Sequence, residues 1–222
     1  MSINSEYSRP IPSWRFWVPL LFQTALIITV PTQAIYTTVT GKTVILQTAP
    51  VDPYELLRGY SQTLRYDISN QDNLRNLPGW QKLPKEQPNG NKVTFIKPGT
   101  RFYVILEAPD SSNSTQLPIP WKPVGLSAKF PSRLPANQIP LKGVANYGSI
   151  EYGLETYYMP EDQREQINEE LNSARQENSN RPISPPPIVM EIKVDAQGNA
   201  LPIGIWALVS KDSQQQIRKY RF

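Results

Sequence analysis

"IVMEIKVDAQGNALPIGIWALV", residues 188–209, is the stretch from which the fold can be read. Ile188, Met190, Ile192 and Val194 alternate with Val189, Glu191, Lys193 and Asp195, the period-two pattern of a strand with one face on a core. "AQGN" turns the chain and "LPIGIWALV" returns it, so the stretch predicts an antiparallel hairpin. Pro202 has no amide hydrogen to give to a ladder, which predicts an edge position for the return strand near its start.

Working back along the chain, "NSNRPISPPP" (178–187) is a stiff connector. Ahead of it, "PEDQREQINEELNSAR" (160–175) predicts one surface helix. Pro160 suits its first position, Glu161 and Asp162 its positive end, and Ile167, Leu171 and Ala174 form a narrow apolar stripe. "TRFYVILEA" (100–108) is apolar on both faces, which predicts a central strand, and "VTFI" precedes it across the turn "KPG". "KTVILQT" (42–48), "WKPVGLSAKF" (121–130) and "IPLKGVANYGSIEYGLETYYM" (139–159) add short extended pieces. Residues 70–92 carry turn signals at Pro78-Gly79, Pro88 and Asn89-Gly90 and predict an exposed loop or long hairpin connection. The tail "KDSQQQIRKYRF" holds Lys211, Arg218, Lys219 and Arg221 against Asp212. It reads as a solvated basic end, with anionic lipid or a partner as the other reading. The expected class is α+β: a mainly antiparallel domain, sandwich or partly open barrel, with one surface helix.

Twenty-three prolines against 11 glycines agree with many short elements. No cysteine and no histidine occur. That inventory excludes thiol nucleophiles, Ser-His-Asp triads, disulfide frameworks and the usual zinc sites. The net charge of +4 comes without a nucleic-acid-binding motif, so nucleic acid is not an expected partner.

Near the start, residues 16–41, "FWVPLLFQTALIITVPTQAIYTTVTG", carry no charge, and crossing a hydrocarbon core takes about 20 helical residues. Trp14, Trp17 and Tyr36 are placed for the two interfaces, and Arg9 and Arg15 against Glu6 favour an N-terminus on the inside. The division is therefore a cytoplasmic tail (1–15), a transmembrane anchor (16–40) that meets lipid, and an extracytoplasmic domain (41–222) in the periplasm or an equivalent space. A cleaved signal peptide ending in "TQA" at Ala34 is a second reading, and a buried helix of a soluble protein a third.

"DPYELLRGYSQTLRYDIS", residues 52–69, raises the question of chemistry. Asp52, Pro53 and Glu55 form a helix-start signature, Arg58 suits the last turn and Gly59 the stop. Leu64, Tyr66 and Ile68 then alternate with Arg65, Asp67 and Ser69, predicting a half-buried strand. Asp52, Glu55, Arg58, Arg65 and Asp67 form a catalytic cluster only on paper, since capping and exposed strand positions account for them. In "YGLETYYMPE", Tyr152, Tyr157 and Tyr158 with Glu151 and Glu155 read first as packing residues and second as an aromatic ligand site. Ser61 with Lys97 lacks the sequence context of a serine–lysine peptidase.

The first stretch behind a membrane segment, with "YGLETYYMPE" following about 90 residues later by count, resembles the GDYXXLXY family of membrane-anchored bacterial proteins. Gly59, Leu64 and Tyr66 match the motif's glycine, leucine and final tyrosine, whereas Tyr60 stands where the motif has aspartate and Ser61 where it has tyrosine. Aligning Tyr60 with the motif tyrosine instead breaks the spacing to Leu64. The resemblance implies anchoring and carries no established activity. The expected binding surface comprises Asp52, Arg58, Gly59, Tyr60, Leu64, Arg65, Tyr66, Tyr152, Gly153, Glu155 and Tyr157. No cofactor or metal is expected. A membrane or envelope protein is the expected partner, with a small-molecule ligand or a hydrolase's substrate as alternatives.

Overall fold

The computed structural model describes residues 12–49, 61–87, 93–110, 117–158, 188–211 and 214–221. It opens with α1 (Trp14–Thr40), a helix whose apolar side chains from Phe16 to Ile28 stand exposed. By length and composition α1 is able to cross a membrane. Five of its hydroxyls are satisfied within the helix: those of Thr24, Thr29, Thr32, Thr38 and Thr40 each donate to the carbonyl four residues back at 2.7–2.9 Å, so none of the five requires water.

Among the described residues the strands are, in chain order, β1 (Lys42–Gln47), β2 (Ser61–Thr63), β3 (Lys85–Glu86), β4 (Phe95–Ile96), β5 (Arg101–Glu107), β6 (Lys122–Ser127), β7 (Gln138–Asn146), β8 (Ser149–Glu151), β9 (Thr156–Tyr158), β10 (Ile188–Val194), β11 (Ala200–Lys211) and β12 (Gln214–Arg221). Every pairing is antiparallel. One four-stranded sheet runs β1-β10-β11-β12 and the other β6-β5-β7-β8, with the short pairs β2-β9 and β3-β4 beside them. Their inner faces meet in one apolar core: Val44, Leu46, Met190, Ile192 and Ile205 from the first sheet, Phe102, Val104, Leu106, Leu141 and Ala145 from the second. The arrangement is α+β with two packed sheets and no closed barrel.

The 188–209 hairpin and the central position of β5 agree with the periodicity. β11 lies between β10 and β12 over most of its length, yet its start is an edge, as expected from Pro202. It pairs with Ile192 beside a bulge, and β12 reaches only as far as Gly204, paired with Arg221. Pro202 therefore stands where no third strand asks for its amide.

The tail is not a loose end: residues 214–221 are β12, with Gln216, Ile217 and Arg221 exposed. On it, Lys219 Nζ sits 2.7 Å from Glu191 Oε2 and over the Trp206 ring. A basic side chain in this position meets its acid two strands away.

Residues 70–87 are not an exposed loop: α2 (Gln71–Leu74) and a single 3-10 turn at Trp80–Lys82 bury Leu74, Trp80 and Leu83, and β3 and β4 form a small hairpin. Nor is 64–69 a strand. Leu64, Tyr66 and Ile68 are buried as the alternation requires, but Asp67–Ser69 is a 3-10 turn that buries Ser69 as well. The predicted helices at 53–58 and 160–175 and the connector at 178–187 lie outside the described residues.

Candidate functional site

The two quoted motif regions are joined in space. β2 pairs with β9 in the register Ser61–Tyr158, Gln62–Tyr157 and Thr63–Thr156. The pairing continues past the strands, where Leu64 N donates to Glu155 O at 2.6 Å and Tyr66 bridges to Thr48 on the other side. Neither segment stays extended from there. Residues 67–69 coil into the 3-10 turn, and 152–155 turn through Gly153 at φ +76°.

Buried irregular backbone leaves carbonyls that a ladder does not serve, and each must find a donor. Two tyrosines supply them. Tyr66 Oη donates to Leu154 O at 2.6 Å, and Tyr152 Oη donates to Ile68 O at 2.7 Å. The exchange is reciprocal, because each segment's tyrosine serves the other segment's turn. Both rings are in the core, Tyr66 at 0% and Tyr152 at 7% exposure, so each combines a large apolar contact with one polar anchor.

Glu155 closes the second turn, its Oε1 accepting from Tyr152 N at 2.5 Å. Burial, and then the nearby Glu155 charge, push both phenols far above their ordinary range. They remain neutral donors and do not act as bases. Burial also pushes the Asp67 carboxyl up.

Leu64, Tyr66 and Tyr152 are thus core residues, which removes them from any binding surface. Arg65 is exposed, its carbonyl accepting from Ala49 N at 2.8 Å. Gly153 is exposed, Glu155 is half-buried, and Tyr157 is placed by its backbone pairing with Gln62. Asp52, Glu55, Arg58, Gly59 and Tyr60 lie outside the described residues. The residues that are described form a clasp between chain segments. Among the described residues no three acidic side chains gather to hold a metal ion.

A second clasp has no counterpart in the sequence reading. Asp195, expected on an outward strand face, is 2% exposed. Its Oδ1 accepts from the backbone amides of Gln197 and Asn199, both at 2.9 Å, and its Oδ2 from Asn199 Nδ2 at 3.0 Å and Thr37 Oγ1 at 3.3 Å. Burial raises the carboxyl's pKa, but the bonds from Asn199, Gln197 and Thr37 outweigh it, and the net shift is downward. Asp195 therefore holds the end of α1 against the β10–β11 turn. The Asp-x-x-Gly-Asn spacing at 195–199 is a legible turn signal, whereas the threonine partner 158 positions away in the chain is not. Gln71 is similarly hidden in the sequence: fully buried, it gives Nε2 to Ser149 O and takes Ile96 N on Oε1.

No curated protein and no solved structure matches the chain. One protein-family model does, over residues 23–205, and its description reads GDYXXLXY protein.

Proposed function

The chain belongs to the GDYXXLXY family, and on that premise we propose a single-span membrane protein whose extracytoplasmic domain, residues 41–222, is a non-enzymatic module that binds another membrane or envelope protein. The observation that carries this reading is the join between anchor and domain. α1, with its apolar side chains exposed along its length, enters β1 through Gly41 alone. Thr37 and Gly41 are both tied to the sheet, Thr37 through Asp195 and the Gly41 carbonyl through Lys193 Nζ at 3.0 Å. A domain fixed to its anchor without a linker stays at one height and one orientation above the bilayer, which suits partner contact within the membrane plane.

Absorption of Tyr66 and Tyr152 into the core counts against a catalytic role for either phenol, since both act on the fold. Alkaline carbonate fractionation with intact mass tests the anchor. The expected result is full-length protein in the resistant pellet; a soluble species beginning at Ile35 would refute it. Gentle solubilisation of native membranes should then return the protein in a complex of defined stoichiometry, and a strictly monomeric species would contradict the partner.

A further inference from the structure

Beside the end of α1 the domain presents a basic connection with one exposed aromatic ring. Residues 111–150 contain no aspartate or glutamate but carry Lys122, Lys129, Arg133 and Lys142. Within this stretch, residues 128–137 connect β6 to β7, and Lys129, Phe130, Ser132 and Arg133 are exposed. Both ends of the connection are fastened next to the helix end. At one, Lys42, the residue after Gly41, donates from Nζ to Ala136 O at 2.5 Å. At the other, the Phe130 ring packs edge-on against Tyr103 at 5.5 Å. Tyr103 in turn lies against Gly198, where an added side chain would meet its Cε1 at 3.2 Å. Gly198 belongs to the turn whose Asp195 holds Thr37.

Depth follows from the helix. Counting about 20 residues for the hydrocarbon core from Phe16 puts Tyr36 at its outer boundary. Thr37 is the next residue, so the β10–β11 turn already stands at headgroup level. Thr40, the last residue of α1, is roughly 6 Å further along the axis, within a headgroup layer of about 5–8 Å on each side, and Lys42 follows two residues on.

We propose that residues 128–137 together with Lys42 rest on the bilayer that α1 crosses, with Lys129 and Arg133 pairing to the phosphates of anionic phospholipids and Phe130, 47% exposed, entering the interface between them. The proposal rests on the single-span reading. Charge complementarity selects the lipid: residues 128–137 carry Lys129 and Arg133, both exposed, and no aspartate or glutamate. Exposed aromatics flanked by basic groups suit an anionic interface.

The chain has no cysteine, so one label reports one site. Full-length protein carrying Ser132→Cys or Tyr147→Cys, each with a nitroxide, is reconstituted in nanodiscs of phosphatidylcholine alone or mixed with phosphatidylglycerol. Tyr147, 90% exposed in the β7–β8 turn, is the control at the opposite end of β7. The position 132 label should be several-fold more accessible to oxygen and less to a water-soluble nickel chelate than the position 147 label, and more so with phosphatidylglycerol. Lys129→Gln and Arg133→Gln should each weaken the lipid-contacting state roughly five-fold. Incorporated protein whose two labels are equally exposed to nickel overturns the proposal while leaving the anchor intact. Protection indifferent to lipid charge, or seen only in native membranes, overturns it too, the latter in favour of a protein surface. Failure to incorporate at all refutes the span and the proposal together.

Discussion

Tyr66 and Tyr152 show how one atom type can decide a local fold. Each hydroxyl serves a carbonyl in a buried turn, and removing it leaves that acceptor without a donor, at a cost of about 1–3 kcal/mol. Tyr66→Phe and Tyr152→Phe should each lower unfolding free energy by that amount, measured by denaturant titration in detergent. Because both clasp the same two segments, the double variant should depart from the sum of the singles; strict additivity would mean that the two bonds act independently. The carboxylates set the acid limit. Asp195 and Glu191 are both held below their ordinary range, burial of each being outweighed by hydrogen bonds, for Glu191 from Lys219 and Trp206. A folded-state pKa below the unfolded value contributes stability that is present above the unfolded pKa and lost as the pH falls through the folded one. Melting temperature should therefore hold steady near neutrality and fall below about pH 4.5, and Asp195→Asn should flatten part of that fall. Asp67, with its pKa raised, acts in the opposite sense, since its stabilising contribution is lost as the pH rises through its folded value.

Local geometry also separates glycines that look alike in sequence. Gly79 and Gly99 both have φ well above zero, at +94° and +80°. A Cβ on Gly99 meets nothing within 4 Å, whereas on Gly79 it would lie 1.9 Å from Leu126 O. Gly99→Ala should cost only the left-handed backbone penalty of about 1–2 kcal/mol. Gly79→Ala should cost clearly more, because the turn before Trp80 and the strand β6 must move apart; equal melting temperatures for the two variants would contradict this packing. The elements legible in the sequence are those with a sustained period, residues 188–209 and 100–108, where burial of alternate side chains leaves one solution. Residues 64–69 misled because a 3-10 turn starting at Asp67 buries Tyr66 and Ile68 as well as a strand would. β12 was illegible for a different reason: its glutamines and basic residues show no period, and its support is the ladder with β11 together with an ion pair to Glu191 across it.

For the molecule as a whole, the clasp at Tyr66 and Tyr152 and the clasp at Thr37 and Asp195 have the same effect on different joints. The first fastens the chain between β1 and β5 to the segment after β8; the second fastens the sheet to the helix. The motif was visible in the sequence but not what it does, because Tyr66 and Leu154 lie 88 positions apart and no spacing rule links them. Expectations for Asp52, Arg58, Gly59 and Tyr60 fall outside the described residues. In the proposed arrangement the domain is held at a fixed height above a membrane that the N-terminal helix crosses. Labelling with a membrane-impermeant maleimide tests that arrangement, using single cysteines at Ser5 or Tyr147 in intact cells and after permeabilisation. The expected result is full-length protein labelled at position 147 in intact cells and at position 5 only once the cells are opened. Labelling at position 147 only after permeabilisation, or at both positions before it, would contradict the account.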